Sequence, residues 1–319
     1  MPAAVPVAEI VRSGFVEGRH HGAVAALAGD GSVDWSVGDV ASPVLPRSCN
    51  KPLQATAMVR LGLDLPPDLL ALACASHSGE AFQLDGVRRI LALAGLDESA
   101  LQTPPDYPLD EAERELVLRA GGEKTSIQMN CSGKHAAMLL TCVVNGWDIA
   151  TYLEPAHPLQ QAIRATFEEL TGEPAAVTAI DGCGAPLLSA SLVGLGAAFR
   201  RLALAADGAE RRVAEAIRSH PEWVSGSRRD ERALLTAIPG AIGKMGAESC
   251  FALALHDGRA FALKIDDGAM RAWPPVLVAA LRRSGVDQEA GVDEGVLRRV
   301  GHTPLLGGGV EVGEIRAVV

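Results

Sequence analysis

The chain has 319 residues, of which 48% are hydrophobic and 21% charged, a composition typical of a globular protein with a substantial core. Its net charge of −10 argues against binding to nucleic acid or to an anionic membrane surface, since both need clustered Lys and Arg. No apolar run approaches the ~20 residues of a membrane span, and the N-terminal residues lack the basic start of a secretory signal. We therefore expect a cytoplasmic protein.

The order of the predicted elements indicates the fold class. A hairpin with a Gly-Asp-Gly turn is predicted over residues 21–38, and a second, turning at Asp257-Gly258, over residues 250–268. Between them, six segments have apolar residues at helical spacing and end near Gly or Pro, namely 52–61, 85–95, 110–122, 133–146, 158–172 and 209–221. This order predicts an α+β sandwich, in which an antiparallel sheet built from both termini carries packed helices. We expect one domain over residues 1–319, with a mainly helical middle region.

Lysine is scarce in this sequence. Of the 29 basic residues, only five are Lys, at positions 51, 124, 134, 244 and 264, which leaves 24 Arg. Where a surface needs only positive charge, this chain uses arginine. A lysine can lose its proton when buried and act as a base, so each of the five is a candidate functional residue.

Ser48 and Lys51 have the S-x-x-K spacing at the start of a predicted helix. Residues three apart lie on one helix face, where the amine can take the proton of the hydroxyl group. A lysine acts as a base when desolvation or a nearby cation lowers its pKa, and Arg47 and Lys264 are the candidate cations. The spacing alone is weak evidence, because Ser48 also fits the role of a helix N-cap.

The segment "ACASHSGE" interrupts an apolar stretch with Ser76, His77 and Ser78. Small hydroxyl residues beside a histidine and a glycine suit a loop that meets a ligand, although an ordinary Ser/Gly turn is the commoner outcome. Lys264 lies on a predicted strand of the second hairpin. The alternative for it is a solvated lysine on an edge strand.

Two of the six cysteines lie in motifs that suit a metal site. Cys131 and His135 are four residues apart at the start of an apolar helix, and Cys183 lies in the Gly-rich segment "DGCGAP". Two thiolates and a nitrogen donor favour a soft metal such as zinc. Buried free cysteines are the alternative.

Seven segments, in this order, resemble the L-asparaginase II family, the Rhizobium-type asparaginases: "GFVEGRHHGAVAAL", "RSCNKPLQA", "ASHSGE", "NCSGKHAAML", "DGCGAP", "IPGAIGKMGAES" and "FALKIDDGAMRA". They extend through nearly the whole chain and contain four of the five lysines. Met245 and Ser249 stand where glycines are expected. The resemblance implies a fold like that of serine β-lactamases and serine-type glutaminases, with hydrolysis of L-asparagine to L-aspartate and ammonia through an acyl-enzyme.

The resemblance also implies roles for individual residues. Two serine–lysine pairs fall on Ser48 with Lys51 and on Ser76 with Lys264, with Ser78 as the second choice for the second serine. The zinc position falls on Cys131, Lys134 and Cys183, and His135 is a rival ligand to the lysine. In this family the metal tunes substrate binding and does not supply the hydrolytic water. A homodimer is also implied.

These observations lead to one hypothesis and two rivals. In the hypothesis, Ser48 attacks the amide carbon, neutral Lys51 takes its proton, and the second pair passes a proton to the leaving ammonia. Polar contacts to substrate are expected from Arg47, His77, Ser78 and Asp181. The first rival is another serine hydrolase of this fold, above all a glutaminase, since one methylene changes selectivity by only ~1–3 kcal/mol. The second is a non-catalytic binding protein stabilised by zinc.

Overall fold

The two predicted hairpins lie side by side in one antiparallel sheet. The computed structural model describes residues 5–319, so the first four residues of the predicted domain lie outside the described residues. Eight strands form the sheet: β1 (Val5–Arg12), β2 (Phe15–Leu27), β3 (Val33–Val37), β6 (Ile242–Gly246), β7 (Cys250–Ala254), β8 (Ala260–Ile265), β9 (Pro304–Gly307) and β10 (Val310–Ala317). Their order is β6-β7-β8-β2-β1-β10-β9, with β3 paired to β2. The prediction of a sheet built from both ends of the chain is confirmed.

Helices fill the middle of the chain, as the periodicity predicts. They are α1 (Lys51–Arg60), α2 (Pro67–Ala73), α3 (Ala81–Leu93), α4 (Glu111–Arg119), α5 (Ser132–Asn145), α6 (Pro158–Thr171), α7 (Leu192–Leu204), α8 (Gly208–Ser219), α9 (Pro221–Val224), α10 (Asp230–Ala237), α11 (Trp273–Arg283) and α12 (Glu294–Val300). All six predicted helical segments coincide with helices. A short hairpin that the sequence analysis missed, β4 (Thr178–Ile180) with β5 (Pro186–Leu188), interrupts the helical region.

The sheet separates two hydrophobic cores because side chains alternate between its faces. On one face, Ala23, Ala25 and Ala262 join the larger core, which includes residues of α1, α2, α5, α6, α7 and α8. On the other face, Val24 and Leu263 pack with residues of α11. The fold is therefore an α+β sandwich with helices on both faces of the sheet.

The edge strand β6 lies against the turn that carries Ser48. That turn is a short 3₁₀ helix, Arg47–Asn50, and α1 follows it directly. A Cβ atom on Gly246 would lie 2.3 Å from the Pro46 carbonyl oxygen and 3.3 Å from the Ser48 nitrogen. Only glycine allows so close an approach, so the last residue of β6 fixes the strand beside Ser48.

Candidate active site

Ser48 lies in a buried turn, and the residue before it has a strained backbone conformation. Its exposed fraction is 8%, and that of Lys51, one residue after the turn, is 1%. Arg47, just before Ser48, has a φ of +53°, in the left-handed region that side chains other than glycine rarely adopt. Strained backbone of this kind is concentrated at functional sites, where the surrounding structure holds it in place.

Lys51 reaches from this turn to the loop that follows α2. Its amine donates a hydrogen bond to the Ser76 hydroxyl over 3.0 Å and another to the Ala75 carbonyl oxygen. Ser78, the second choice in the sequence, donates instead to the Ser225 carbonyl oxygen over 2.9 Å. The structure therefore places Ser76, and not Ser78, beside the amine of Lys51.

The structure does not show the predicted pairing of Ser76 with Lys264 as a hydrogen bond, so that pairing stays a prediction. The Lys264 amine donates to the carbonyl oxygen of Ile265, and within residues 5–319 no hydrogen bond joins it to Ser76. Lys264 is paired with Ala23 of β2 and with Cys250 of β7. Both β6 and β7 border the Ser48 turn, and Cys250 of β7, the cross-strand partner of Lys264, lies next to Cys49 through its carbonyl oxygen.

Lys244, on β6, is a site residue that the sequence analysis did not select. Its side chain is fully buried, and its amine lies 2.7 Å from a carboxylate oxygen of Glu231, which is equally buried. Burial lowers the pKa of Lys244, the charge of Lys51 lowers it further, and Glu231 opposes both effects. The scarcity of lysine and the position of Lys244 in the segment "IPGAIGKMGAES" were the sequence signals that could have identified it.

Arg47 and Asp181 form an ion pair near the Ser48 turn. The Arg47 Nε atom lies 2.7 Å from an oxygen of Asp181, and a terminal nitrogen of Arg47 lies 3.9 Å from Glu248. Glu248 and Ser249 have φ angles of +58° and +50°. The left-handed backbone at Ser249 explains why glycine is expected there. The predicted substrate contacts Arg47 and Asp181 are thus neighbours, with Glu248 beside them.

His77 is fully buried and holds a neighbouring helix in place. Its Nε2 lies 2.8 Å from the Ser132 hydroxyl, whose own proton goes to the Ile127 carbonyl oxygen, so the Nε2–H group donates. Its Nδ1 has no partner among the described residues. Burial lowers the pKa of His77 to about 3, and the Lys51 charge contributes. The ring is therefore neutral, and its contact with substrate stays a prediction.

The proposed metal ligands come together at the start of α5. Cys131 and Cys183 belong to one small buried cluster, and the Lys134 amine lies 3.1 Å from the Cys183 sulfur. Nδ1 of His135 bonds to the Tyr152 hydroxyl over 2.7 Å, and its Nε2 is buried with no hydrogen-bond partner in the described chain. Among residues 5–319, no group of three His, Cys, Asp or Glu side chains has an arrangement that could hold a metal ion. Lys134 is therefore the nitrogen donor that this arrangement favours for a metal, ahead of His135.

The cysteine, lysine and histidine side chains of this cluster shift one another's pKa values. The Cys131 thiol lowers the pKa of Cys183 through a hydrogen bond, and the charge of Lys134 lowers it further against the effect of burial. Burial opposes the charged form of Lys134, but the Cys183 and Cys131 sulfurs raise its pKa above the ordinary value. Burial lowers the pKa of His135 to about 4. These directions favour a thiolate on Cys183 and an ammonium on Lys134, beside a neutral His135 imidazole.

Comparisons with known proteins place the chain in a family. A β-lactamase from Mycobacterium bovis is similar in structure at 18% identity, with 82% of this chain and 94% of that chain covered and a TM-score of 0.43. EstCE1, a hydrolase with promiscuous acyltransferase activity, is similar at 12% identity, with 79% and 91% covered and a TM-score of 0.41. No curated protein matches the sequence. Within residues 5–319, no helix is long and apolar enough to cross a membrane. The family model of L-asparaginase II matches residues 8–317, nearly the whole length, and the chain therefore belongs to the L-asparaginase II family.

Proposed function

We propose that the protein hydrolyses the side-chain amide of L-asparagine to L-aspartate and ammonia through an acyl-enzyme on Ser48. Membership of the L-asparaginase II family supports an amidohydrolase. The observation that carries the mechanism is the buried amine of Lys51, which follows Ser48 by three residues and lies 3.0 Å from Ser76. Ser48, Lys51 and Ser76 are all buried, and they would serve as the nucleophile, the base and a second hydroxyl group.

The first half of the reaction transfers the acyl group. The Ser48 oxygen attacks the amide carbon while the neutral amine of Lys51 takes the hydroxyl proton. The backbone N–H groups at the start of the Ser48 turn stabilise the oxyanion. The C–N bond then breaks, and Lys51 returns the proton through the Ser76 hydroxyl to the leaving nitrogen, which departs as ammonia. In the second half, water attacks the ester, and the same groups return Ser48 to its starting state.

We propose Lys244, rather than Lys264, as the second lysine of this mechanism. Two ammonium groups in one buried space repel each other, so the arrangement favours one charged and one neutral amine. Glu231 pairs with Lys244 and favours its ammonium form, against the burial that lowers the pKa of Lys244. The proposed mechanism uses the neutral form of Lys51, as a general base requires.

The substrate is an amino acid, and its α-groups need partners of both signs. The guanidinium of Arg47 suits the α-carboxylate, and the carboxylates of Asp181 and Glu248 suit the α-ammonium. These three side chains form one charged group beside the Ser48 turn. His77 and Ser78 hold the loop of Ser76 in place. His77 hydrogen-bonds to the Ser132 hydroxyl, and Ser78 donates to the Ser225 carbonyl oxygen.

The donor atoms of the cysteine cluster fit a zinc ion. Cys131, Cys183 and Lys134 would hold it, and the unpartnered Nε2 of buried His135 is the rival nitrogen donor. Lys134 must lose its proton to ligate, so metal and proton compete at this site. A bound zinc ion would fix the Cys183 loop next to Asp181, and so tune substrate binding without supplying the hydrolytic water.

The proposal is tested by measuring ammonia release from L-asparagine and from L-glutamine, with purified protein and with Ser48→Ala. Release from asparagine that disappears in the variant supports both the substrate and the nucleophile. Release mainly from glutamine would change the substrate and retain the mechanism. A wild-type protein that releases ammonia from neither would leave the zinc-stabilised binding protein as the better reading. The homodimer and the cytoplasmic location stay predictions; light scattering after size-exclusion chromatography tests the first.

A further inference from the structure

Glu231 forms a buried junction between α10 and the edge strand β6. One of its carboxylate oxygens accepts hydrogen bonds from the Lys244 amine, over 2.7 Å, and from the Met245 backbone N–H, over 2.8 Å. The exposed fraction of Glu231 is 1%, and that of Lys244 is 0%. The second carboxylate oxygen is buried and has no partner in residues 5–319. So costly a charge in the interior needs a reason beyond stability, because apolar residues of similar size usually serve stability as well.

The position of β6 suggests that reason. Glu231 binds the backbone of Met245, and Gly246 is the next residue. Gly246 packs against the carbonyl oxygen of Pro46 and the nitrogen of Ser48. Lys244 precedes Met245, and its own carbonyl oxygen accepts a hydrogen bond over 3.0 Å from Cys49, the residue after Ser48. Three consecutive residues of β6 thus contact either Glu231 or the Ser48 turn.

We propose that Glu231 is a positioning residue for the reaction, which holds the Lys244 ammonium and the Met245 backbone so that β6 stays against the Ser48 turn. The inference rests on the proposed function, since it assigns Glu231 a role at the same site. Glu231 touches neither Ser48 nor Lys51 through a hydrogen bond among the described residues, and it acts through β6 and Lys244.

The charges around Lys244 indicate what removal of Glu231 would do. The groups that face Lys244 are Lys51 on α1, Arg229 and Glu231 at the start of α10, and the buried thiols of Cys49 and Cys74. Glu231 is the carboxylate of this set, and two of the others are cations. Without its negative charge, the ammonium form of Lys244 is less stable and loses its proton at lower pH.

The test uses Glu231→Gln, which retains the shape and an acceptor for Met245 while it removes the charge. We expect kcat for L-asparagine to fall by about tenfold or more, with KM changed by less than about threefold, because positioning acts on the chemical step. The alkaline limb of the pH profile of kcat/KM should move to lower pH by about one unit. Glu231→Asp retains the charge, and its alkaline limb should stay near the wild-type position.

The matched control is Asp230→Asn, which removes a carboxylate from the same turn of α10 without touching Lys244. It should leave the rate and the pH profile close to those of the wild type. Thermal unfolding of each variant separates loss of fold from loss of rate. An unshifted alkaline limb in Glu231→Gln, with or without lower stability, would overturn the inference. A shift of equal size in Asp230→Asn would also overturn it.

A second readout keeps the inference testable without asparagine turnover. A fluorophosphonate probe labels an activated serine, and mass spectrometry identifies Ser48 as the labelled residue. Slower labelling in Glu231→Gln, with the same acidic displacement of its pH profile, supports the role of Glu231 even if L-asparagine is not hydrolysed. If neither hydrolysis nor labelling of Ser48 occurs in the wild-type protein, the proposed function and this inference both fail.

Discussion

The amine nitrogen of Lys51 lies 3.0 Å from the hydroxyl oxygen of Ser76, although the two residues belong to different elements and are 25 positions apart. Lys51 opens α1, and Ser76 follows the end of α2. The contact joins the S-x-x-K segment to the "ASHSGE" segment, which the sequence presents as two separate motifs. It makes Ser76 the hydroxyl that a mechanism based on Lys51 can use.

The nucleophile and its base are tested by Ser48→Ala and Lys51→Arg. Loss of the hydroxyl prevents the acyl-enzyme, so Ser48→Ala should lose turnover of L-asparagine completely. Arginine retains the charge but does not deprotonate, so Lys51→Arg should lose about 10²–10⁴-fold in kcat. Ammonia release measures both, and Ser42→Ala, an exposed serine on the preceding loop, is the control. Substantial activity in either variant would reject that residue's role.

Ser76 and Ser78 should respond differently to removal of the hydroxyl. Ser76→Ala removes the partner of Lys51, so kcat should fall by about 10²-fold or more while the unfolding midpoint changes little. Ser78→Ala removes a bond to the Ser225 carbonyl oxygen, so it should cost about 1–3 kcal/mol of stability and retain most of kcat. Chemical denaturation and kinetics on the same preparations compare the two. The reverse pattern would assign the catalytic hydroxyl to Ser78.

The choice between Lys244 and Lys264 is decided by removing each amine. Lys244→Met should lower kcat by about 10²-fold or more, and it should also destabilise the fold by about 3–5 kcal/mol, because it leaves the Glu231 charge buried without a partner. Lys264→Met should retain most of the activity, since that amine bonds only to a backbone carbonyl among the described residues. The double variant Lys244→Met with Glu231→Gln should recover stability but not activity. A large loss of kcat in Lys264→Met alone would restore the sequence prediction.

The buried His77 should make stability depend on pH. Its folded-state pKa is about 3, below the ordinary value of about 6.5, so the unfolded chain binds more protons between these values. The contribution is complete above pH ~6.5 and is lost as the pH falls toward 3, with a slope of up to about 1.4 kcal/mol per pH unit. In His77→Gln, the decrease in unfolding free energy between pH 6.5 and 4 should be smaller. His21→Gln is the control, and an equal decrease in wild type and His77→Gln would contradict the assignment.

The zinc prediction is tested by metal content. Cys131→Ser and Cys183→Ser should each lower the bound zinc per chain by about tenfold or more, measured by plasma mass spectrometry after zinc loading. Lys134→Met and His135→Gln then show which nitrogen is the ligand. Cys142→Ser, on the same helix, should retain the metal. Chelation should raise KM for L-asparagine more than it lowers kcat; a complete loss of kcat that zinc restores would give the metal a direct part in the chemistry.

Local patterns in the sequence determined much of the fold. Helical periodicity and terminal Gly or Pro located the six helical segments, and the Gly-Asp-Gly and Asp-Gly turns located two hairpins of the central sheet. The elements that were not predicted individually are strands β1, β4, β5, β6, β9 and β10 and helices α2, α7, α9, α10, α11 and α12. Many side chains of β1, β9 and β10 are half-buried, so these strands show no strong alternation of apolar and polar residues.

The sequence alone predicted that Ser48 and Lys51, three residues apart at the start of a helix, lie on one face, because that relation depends only on local helix geometry. It also showed that lysine is scarce and that each one is a candidate. The contact of Ser76 with Lys51 and the burial of Lys244 against Glu231 are known only from the tertiary structure. These contacts depend on which strand lies at the sheet edge beside Ser48, and strand order arises from packing between distant segments, which spacing along the chain does not encode.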